Sequence, residues 1–261
     1  MGSSFFLTGT DTGVGKTVLA GAIAAYLRSQ GLSVGVMKPA ETGCREKGGE
    51  LYPVDAVYLK KVSGSTDPLD TICPYRFAEP LAPAVAAKRA GKKINVELIK
   101  KRFNTIAESH DAVIVEGAGG LMVPLSGKYL FLDLAAELGL PLVIVGRAGL
   151  GTINHTLLTL NAARERGLEI SGIILNQARP EPGAAFETNP QVLKELGCTK
   201  RVFGLPYMPG GKNRPKNAFL LGNILADTGF FFGLTKKNGI GYHCRTIISI
   251  KYKAYDTEEK R

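Results

Sequence analysis

Cysteine and histidine are scarce in this chain: four and three residues respectively among 261. Cys44, Cys73, Cys198 and Cys244 form no C-x-x-C pair and follow no regular spacing. With His110, His155 and His243 as the available imidazoles, nothing has the spacing of a zinc site, and the cysteines read as free thiols of a reducing compartment. No basic leader precedes Phe5-Phe6-Leu7, so no signal peptide is expected. No uninterrupted apolar run is long enough to cross a bilayer. These absences point to a cytoplasmic protein without a membrane span.

The charge is unbalanced but unevenly placed. Lys and Arg number 33 against 23 Asp and Glu, a net +10. From Lys212 to Arg261 there are ten basic residues and four acids, so that segment carries +6 of the total. A basic block at one end reads as a solvated surface, and no specific nucleic-acid partner is expected.

What the chain does have is ordinary globular composition, 44% hydrophobic and 21% charged, and enough length for one large α/β unit. Short apolar runs at Ser4–Thr8, Ser33–Met37, Ala112–Val115, Leu142–Val145, Gly172–Leu175 and Arg201–Leu205 alternate with helical patterns. Those patterns cover Lys16–Gln30, Val96–Ser109, Asn154–Arg166 and Pro190–Leu196. Near-continuous Val/Ile/Leu strands between helices predict a doubly wound, mainly parallel sheet covered on both faces. Ligands of such a sheet bind beyond the carboxyl ends of its strands. Gly43–Leu51 and Ala178–Asn189 read as loops. From about Asn213 no clean helix or strand period is present, although Phe230-Phe231-Phe232 form an apolar cluster. Residues 1–211 therefore read as one α/β domain, and 212–261 as an atypical, basic, partly irregular segment.

Three strand ends carry the chemistry. Between the first strand and first helix lies Gly9-Thr-Asp-Thr-Gly-Val-Gly-Lys16-Thr17, where backbone amides and a helix N-terminus can converge on phosphate oxygens. Thr10 stands where the common G-x-x-x-x-G-K-[ST] pattern has glycine, so the loop runs from Gly9 and is one residue longer. Lys16 would reach the β- and γ-phosphates, and the Thr17 hydroxyl would bind Mg²⁺. A second strand ends in Glu116, the place for a further magnesium contact, and is followed by glycines that let backbone approach phosphate. A third ends at Lys38-Pro39, a second cation for an anionic substrate or transition state. Alone, Asp55 reads as an acid in the first turn of a helix, Asn176 as a strand-end turn residue and His155 as a packed helix histidine.

As an ordered set these residues resemble dethiobiotin synthetase. The blocks are T-G-T-D-T-G-V-G-K-T at Thr8–Thr17, K-P-A-E-T-G at Lys38–Gly43, V-D-A at Val54–Ala56 and E-G-A-G-G at Glu116–Gly120. G-L-G-T-I-N-H at Gly149–His155, Asn176 and G-L-P at Gly204–Pro206 complete them, covering about the first 210 residues. The resemblance implies a P-loop NTPase fold and an ATP- and Mg²⁺-dependent cyclo-ligase of biotin synthesis. It would join CO₂ to 7,8-diaminononanoate through a carbamate and a carbamic–phosphoric mixed anhydride. Lys16 and Lys38 would carry the transition-state charge. Gly13, Val14, Gly15, Lys16, Thr17 and Val18 would hold the phosphates, with Asp55, Glu116, Gly117, Ala118 and Gly119 beside them. Asn176, Gln177, Leu205, Pro206 and Tyr207 would form the adenine side. Thr17, Asp55 and Glu116 would surround Mg²⁺. Thr42 would touch the diamine, and Gly151, Thr152, Ile153 and Asn154 would hold its carboxylate across a homodimer interface. Some family members have Glu where Gly13 stands, and no role of that carboxylate transfers to this chain.

Two other readings remain. A corrinoid-type amide synthetase would need a glutaminase domain with a nucleophilic Cys and partner His, for which the chain has no room. A switch ATPase of the partitioning type would carry an extra lysine early in the loop, where this chain has Gly9-Thr10-Asp11-Thr12.

Overall fold

The computed structural model of the protein describes residues 4–180, 183–210 and 216–231. Strand β1 (Phe5–Gly9) leads into α1 (Lys16–Ser29), followed by β2 (Val34–Met37), β3 (Ala40–Thr42), β4 (Arg45–Lys47) and β5 (Glu50–Tyr52). Next come α2 (Val54–Ser63), α3 (Leu69–Ile72), β6 (Tyr75–Phe77), α4 (Pro83–Arg89) and α5 (Val96–Ser109). Then follow β7 (Ala112–Gly120), β8 (Pro124–Ser126), β9 (Tyr129–Leu130), α6 (Phe131–Glu137), β10 (Leu142–Arg147) and α7 (Thr152–Glu165). The described chain closes with β11 (Ile170–Asn176), α8 (Ala184–Glu195), β12 (Val202–Leu205) and α9 (Lys216–Asp227).

All six apolar runs singled out in the sequence become the strands of one sheet, ordered β12-β11-β10-β1-β7-β2. Every pairing in it is parallel. Successive side chains of a strand face opposite ways, and both faces are buried here. Phe5 and Leu7 pack with α1, α2 and α9, whereas Phe6 packs with α5, α6 and α7. The chain steps from β1 outward to β2, returns to β7, and then crosses β1 to β10. The carboxyl end of β1 is thus where the winding reverses, and such a point leaves a crevice for a ligand.

The helix boundaries follow local chemistry. Asn95 accepts from Leu98 N at 3.3 Å, an N-cap that starts α5 where its apolar stripe begins. Helix α7 starts at Thr152, two residues before the expected Asn154.

Three expectations need correction. The predicted loop Gly43–Leu51 contains most of an exposed antiparallel hairpin, β4 and β5, joined across Gly48-Gly49. Helix α8 begins at Ala184 and carries Pro190 inside it, so proline does not open this helix. Its other bonds hold because neighbouring residues are anchored: Asn189 Nδ2 donates to Ala148 O at 3.1 Å and Gly149 O at 3.2 Å.

The third correction concerns the tail. Where no period was legible, residues 216–227 form α9, which packs against α1. Gly222 is the contact point. A Cβ there would come within 2.6 Å of Ala22 O and 2.8 Å of Tyr26 Cβ. Phe231 stacks on Tyr26 with ring centroids 4.2 Å apart, and Phe230 meets Phe203 edge-on at 5.8 Å. Phe232, Cys244 and the rest of the basic end lie outside the described residues.

Candidate functional site

The Gly9–Thr17 loop wraps the carboxyl end of β1. Gly15 takes a left-handed conformation, φ 99°, as the N-cap of α1, so the helix N-terminus opens directly after the loop. This geometry is held from the side by Asn176 at the end of β11. Its Nδ2 donates to Val14 O at 2.9 Å. A Cβ on Gly15 would lie 2.2 Å from that same nitrogen. Asn176, expected to read a base edge, thus clamps the loop through its amide nitrogen.

Lys16 lies along its own loop, Nζ to Asp11 O at 3.0 Å. Burial pulls its ammonium down to about 8, and nearby Glu116 offsets this in part. A buried ammonium hydrogen-bonded to a neutral carbonyl lacks a full counter-charge, and a polyphosphate would supply one. At the loop mouth, Asp11 pairs with Arg147 from the end of β10.

Lys38 was expected beyond its strand as a second cation for an anionic substrate or transition state. It is 4% exposed and held in an ionic cluster. Its Nζ lies 2.6 Å from Glu116 Oε1 and 3.5 Å from Asp55 Oδ2, with a long contact of 3.4 Å to Gly117 O. Burial works against its charge, yet Glu116 and Asp55 outweigh burial and hold the ammonium above its ordinary value. Glu116 Oε1 also accepts the Thr17 hydroxyl at 2.9 Å. Thus Thr17 and Asp55 from the first turns of α1 and α2, Lys38 from just beyond β2 and Glu116 from within β7 meet at one point. Glu116 does not end β7, as expected, but sits within it, beside an irregularity in the β1–β7 register between Leu7 and Gly9.

One atom of this cluster is unsatisfied: Glu116 Oε2 is buried and accepts no hydrogen bond. A carboxylate oxygen left open beside a hydroxyl and a second carboxylate suits a hard divalent cation that keeps waters and phosphate oxygens as its other ligands. Among the described residues no cluster of three or more His, Cys, Asp or Glu forms a protein-only metal cage. The donor set therefore fits Mg²⁺ bound together with a polyphosphate.

Two cavities meet at Thr12 and Gly13. One, of 350 Å³, is lined by Gly15, Lys16, Thr17 and Val18 and by Lys38, Glu41, Thr42, Asp55, Glu116, Ala118 and Gly119. The other, of 540 Å³, runs past Arg147, Asn176 and Gln177 to Phe186. The residues expected at the phosphates, and Asn176 and Gln177 from the expected adenine side, thus line two adjoining cavities. Leu205, Pro206 and Tyr207 do not line it, although Tyr207 N donates to Gln177 Oε1 at 3.3 Å. Gly151, Thr152, Ile153 and Asn154 line neither cavity. Thr152 is buried and Gly151 caps α7 in a left-handed conformation. His155, expected to be packed, is exposed.

Two site residues escaped the sequence reading. Glu41 accepts from Asp55 N and Ala56 N at the start of α2. Burial, then the nearby Asp55 charge, raise its carboxyl above the ordinary value. Asn189 holds the turn before α7 through the two carbonyls named above. Glu41 lay inside the quoted K-P-A-E-T-G block, but an acid capping a helix 14 residues downstream has no sequence pattern. Asn189 stood in a presumed loop.

Comparison with known proteins follows the same lines. The AAA-domain family matches residues 3–214. The ATP-dependent dethiobiotin synthetase of Anaeromyxobacter dehalogenans (strain 2CP-C) is 45% identical over 221 residues, spanning 85% of this chain and 96% of that protein. The enzymes of the same name from Thermodesulfovibrio yellowstonii and Bacillus cereus (strain ATCC 14579) are 43% and 42% identical, each over 80% of this chain and covering 90% and 85% of their own lengths. Among solved structures, the MinC:MinD cell division complex of Aquifex aeolicus aligns with TM-score 0.51 at 16% identity, over 86% of this chain and 96% of that one. A ParA family ATPase from Chlorobium tepidum aligns with TM-score 0.51 at 18% identity, over 90% and 96%. At such identities these two share the fold alone.

Proposed function

The chain belongs to the ATP-dependent dethiobiotin synthetase family of AAA-domain P-loop proteins, and from that premise we propose that it carboxylates 7,8-diaminononanoate and closes it to dethiobiotin in biotin synthesis. The observation that carries this reading is the meeting of Lys16, Thr17, Lys38, Asp55 and Glu116 beside the Gly9–Thr17 loop. In the proposed reaction one substrate amine adds to CO₂ and loses a proton, giving a carbamate. A carbamate oxygen attacks the γ-phosphorus while the bond to the β-phosphate oxygen breaks and ADP departs. The second amine then attacks the carbonyl carbon, loses its proton and expels phosphate, closing the cyclic urea.

The protein's part is to place and neutralise. Loop amides from Gly13 to Val18 cradle the phosphates, and Lys16 shifts from Asp11 O onto them. Lys38, fixed by Glu116 and Asp55, faces the incoming carbamate, and charge developing at the γ-phosphoryl meets cations already oriented. Thr17, Asp55 and Glu116 would hold Mg²⁺, which when bound supplies further neutralisation of phosphate charge. Gly117, Ala118 and Gly119 give close backbone approach. Asn176 and Gln177, with the Leu205–Tyr207 backbone, serve the adenine side, and Thr42 meets the diamine.

Gly151–Asn154 stand outside both cavities of one chain, so a role for them in holding the substrate carboxylate calls for a second copy. Leu150 is 99% exposed and Leu158 61%. Leu158 and Asn154 share one face of α7 at four-residue spacing, and Leu150 stands just before its N-cap Gly151; this exposed apolar surface favours burial in a homodimer. We take residues 1–211, with α9, Phe230 and Phe231 completing their core, as the synthetase unit and the cytoplasm as its place of work. No helix among the described residues is long and apolar enough to cross a membrane, and no membrane or nucleic-acid partner enters this reading. The switch-ATPase reading has fold likeness alone, and no specific observation favours it or the amide-synthetase reading.

The test is phosphate release with ATP and Mg²⁺. The synthetase reading expects release only when diaminononanoate and bicarbonate are both present. Equal release without the diamine would overturn it.

A further inference from the structure

Helix α2 begins immediately after Pro53, whose side chain supplies no cap. A helix start leaves its first amides without partners inside the helix. Here two of them are taken by one carboxylate from a different strand. Glu41 Oε1 accepts from Asp55 N at 2.9 Å, and Oε2 accepts from Ala56 N at 3.0 Å. Glu41 is 6% exposed, and its strand is anchored in turn by parallel pairing with β6, Ala40 to Tyr75 and Glu41 to Arg76. Both oxygens of a buried carboxylate thus bracket the backbone of the residue whose side chain reaches Lys38 at 3.5 Å.

That bracket has a directional consequence. Asp55 sits in the first turn of α2, and rotation or fraying of that turn would swing its carboxylate off Lys38 and away from Glu116. Glu41 lines the same 350 Å³ cavity as Lys38, Asp55 and Glu116, yet its oxygens are committed to amides rather than to the cavity. Its chemistry is that of a support.

We propose that Glu41 is the positioning residue for Asp55: by holding the first amides of α2 it fixes the Asp55 carboxylate where a divalent cation is shared with Glu116 and Thr17. This rests on the reading of Asp55 as a cation ligand given above. Loss of a residue that orients a metal ligand typically weakens metal affinity about 10- to 100-fold.

The experiment measures binding of a fluorescent, non-hydrolysable ATP analogue as Mg²⁺ is titrated, without diamine, for the unaltered protein, Glu41→Ala, Glu41→Gln and Asp55→Ala. Hydrogen exchange at the Asp55 and Ala56 amides is followed in the absence of nucleotide. The expected result is faster exchange at both amides and a Mg²⁺ midpoint raised about tenfold in Glu41→Ala. Glu41→Gln, which keeps one acceptor oxygen and the same shape, should show a smaller shift of the same sign. It also serves as the test variant if Glu41→Ala does not fold. A midpoint within about twofold of the unaltered protein in both Glu41 variants, while Asp55→Ala moves it, would overturn the proposal and leave the Asp55 reading standing. A midpoint unmoved in Asp55→Ala as well would overturn both.

Discussion

Lys38 Nζ and Glu116 Oε1 lie 2.6 Å apart in the protein interior, and the same carboxylate oxygen takes the Thr17 hydroxyl at 2.9 Å. One acid thereby ties the cation at the end of β2 to the first turn of the phosphate-binding helix. The pair places a fixed positive charge beside the phosphate loop before any ligand arrives, and fixed charge needs no reorganisation during reaction.

Removing the ammonium should separate catalysis from nucleotide binding. Lys38→Ala is expected to lower kcat by about 10²–10³-fold, the scale of one lost transition-state donor. ATP affinity should change far less, because the loop amides and Lys16 remain. Glu116 would be left buried and uncompensated, at a cost of about 3–5 kcal/mol, so the melting temperature should fall as well. Single-turnover phosphate release and a thermal melt check the two halves. Unchanged turnover would remove Lys38 from the mechanism.

Lys16 gives a pH dependence with a definite sign. In the free protein its ammonium titrates near 8 rather than the ordinary 10.5. The unfolded chain therefore binds more protons than the folded one across that window, and the Lys16 contribution to stability improves as pH rises through it. Polyphosphate favours the charged form. Binding above pH 8 should take up close to one proton, and affinity should decline by up to about tenfold per pH unit toward 10. Calorimetry in buffers of different ionisation enthalpy measures the uptake, and it should vanish in Lys16→Met.

The Asn176 clamp can be told from base reading with a ligand that has no base. Asn176→Asp cannot donate to Val14 O, and it opposes a carboxylate to a carbonyl oxygen. Inorganic triphosphate should then bind about tenfold more weakly, on the scale of losing a hydrogen bond to a buried group. Gly15→Ala should do the same, since its Cβ would meet the Asn176 amide and strain a left-handed residue. Triphosphate affinity unchanged in both would confine Asn176 to the base side.

Helix α9 is expected to matter for stability. Phe230→Ala should destabilise the protein by about 3–5 kcal/mol, the range for emptying a buried aromatic site. Gly222→Leu should lever α9 off α1 at Ala22 and Tyr26. Removal of residues from about 236 onward should leave nucleotide binding intact. Denaturant melts and fluorescent-nucleotide titration of the three variants check this.

The sheet was legible because burial on both faces demands unbroken Val/Ile/Leu runs, and all six such runs became its strands. Helix α5 was legible to the residue as the pattern Val96–Ser109. Helix α9 was not, because Gly222 was chosen for close approach to α1, and local propensity shows nothing of a remote neighbour. Pro190 misled for a similar reason: anchors on α8 outside the local sequence outweigh one missing hydrogen bond. In the site, the phosphate loop and the chemistry-bearing strand ends announced themselves by residue type. The cross-links Lys38–Glu116, Asn176–Val14 and Glu41–α2 span 78, 162 and 14 or 15 positions, and no local pattern encodes them.

The most direct measurement is a crystal structure with a non-hydrolysable ATP analogue and Mg²⁺. The expected result places the triphosphate against the Gly9–Thr17 loop, with Lys16 and Lys38 both reaching the γ-phosphate and the cation between Thr17, Asp55 and Glu116. A polyphosphate lodged anywhere else, or a γ-phosphate beyond reach of Lys38, would contradict the proposed chemistry.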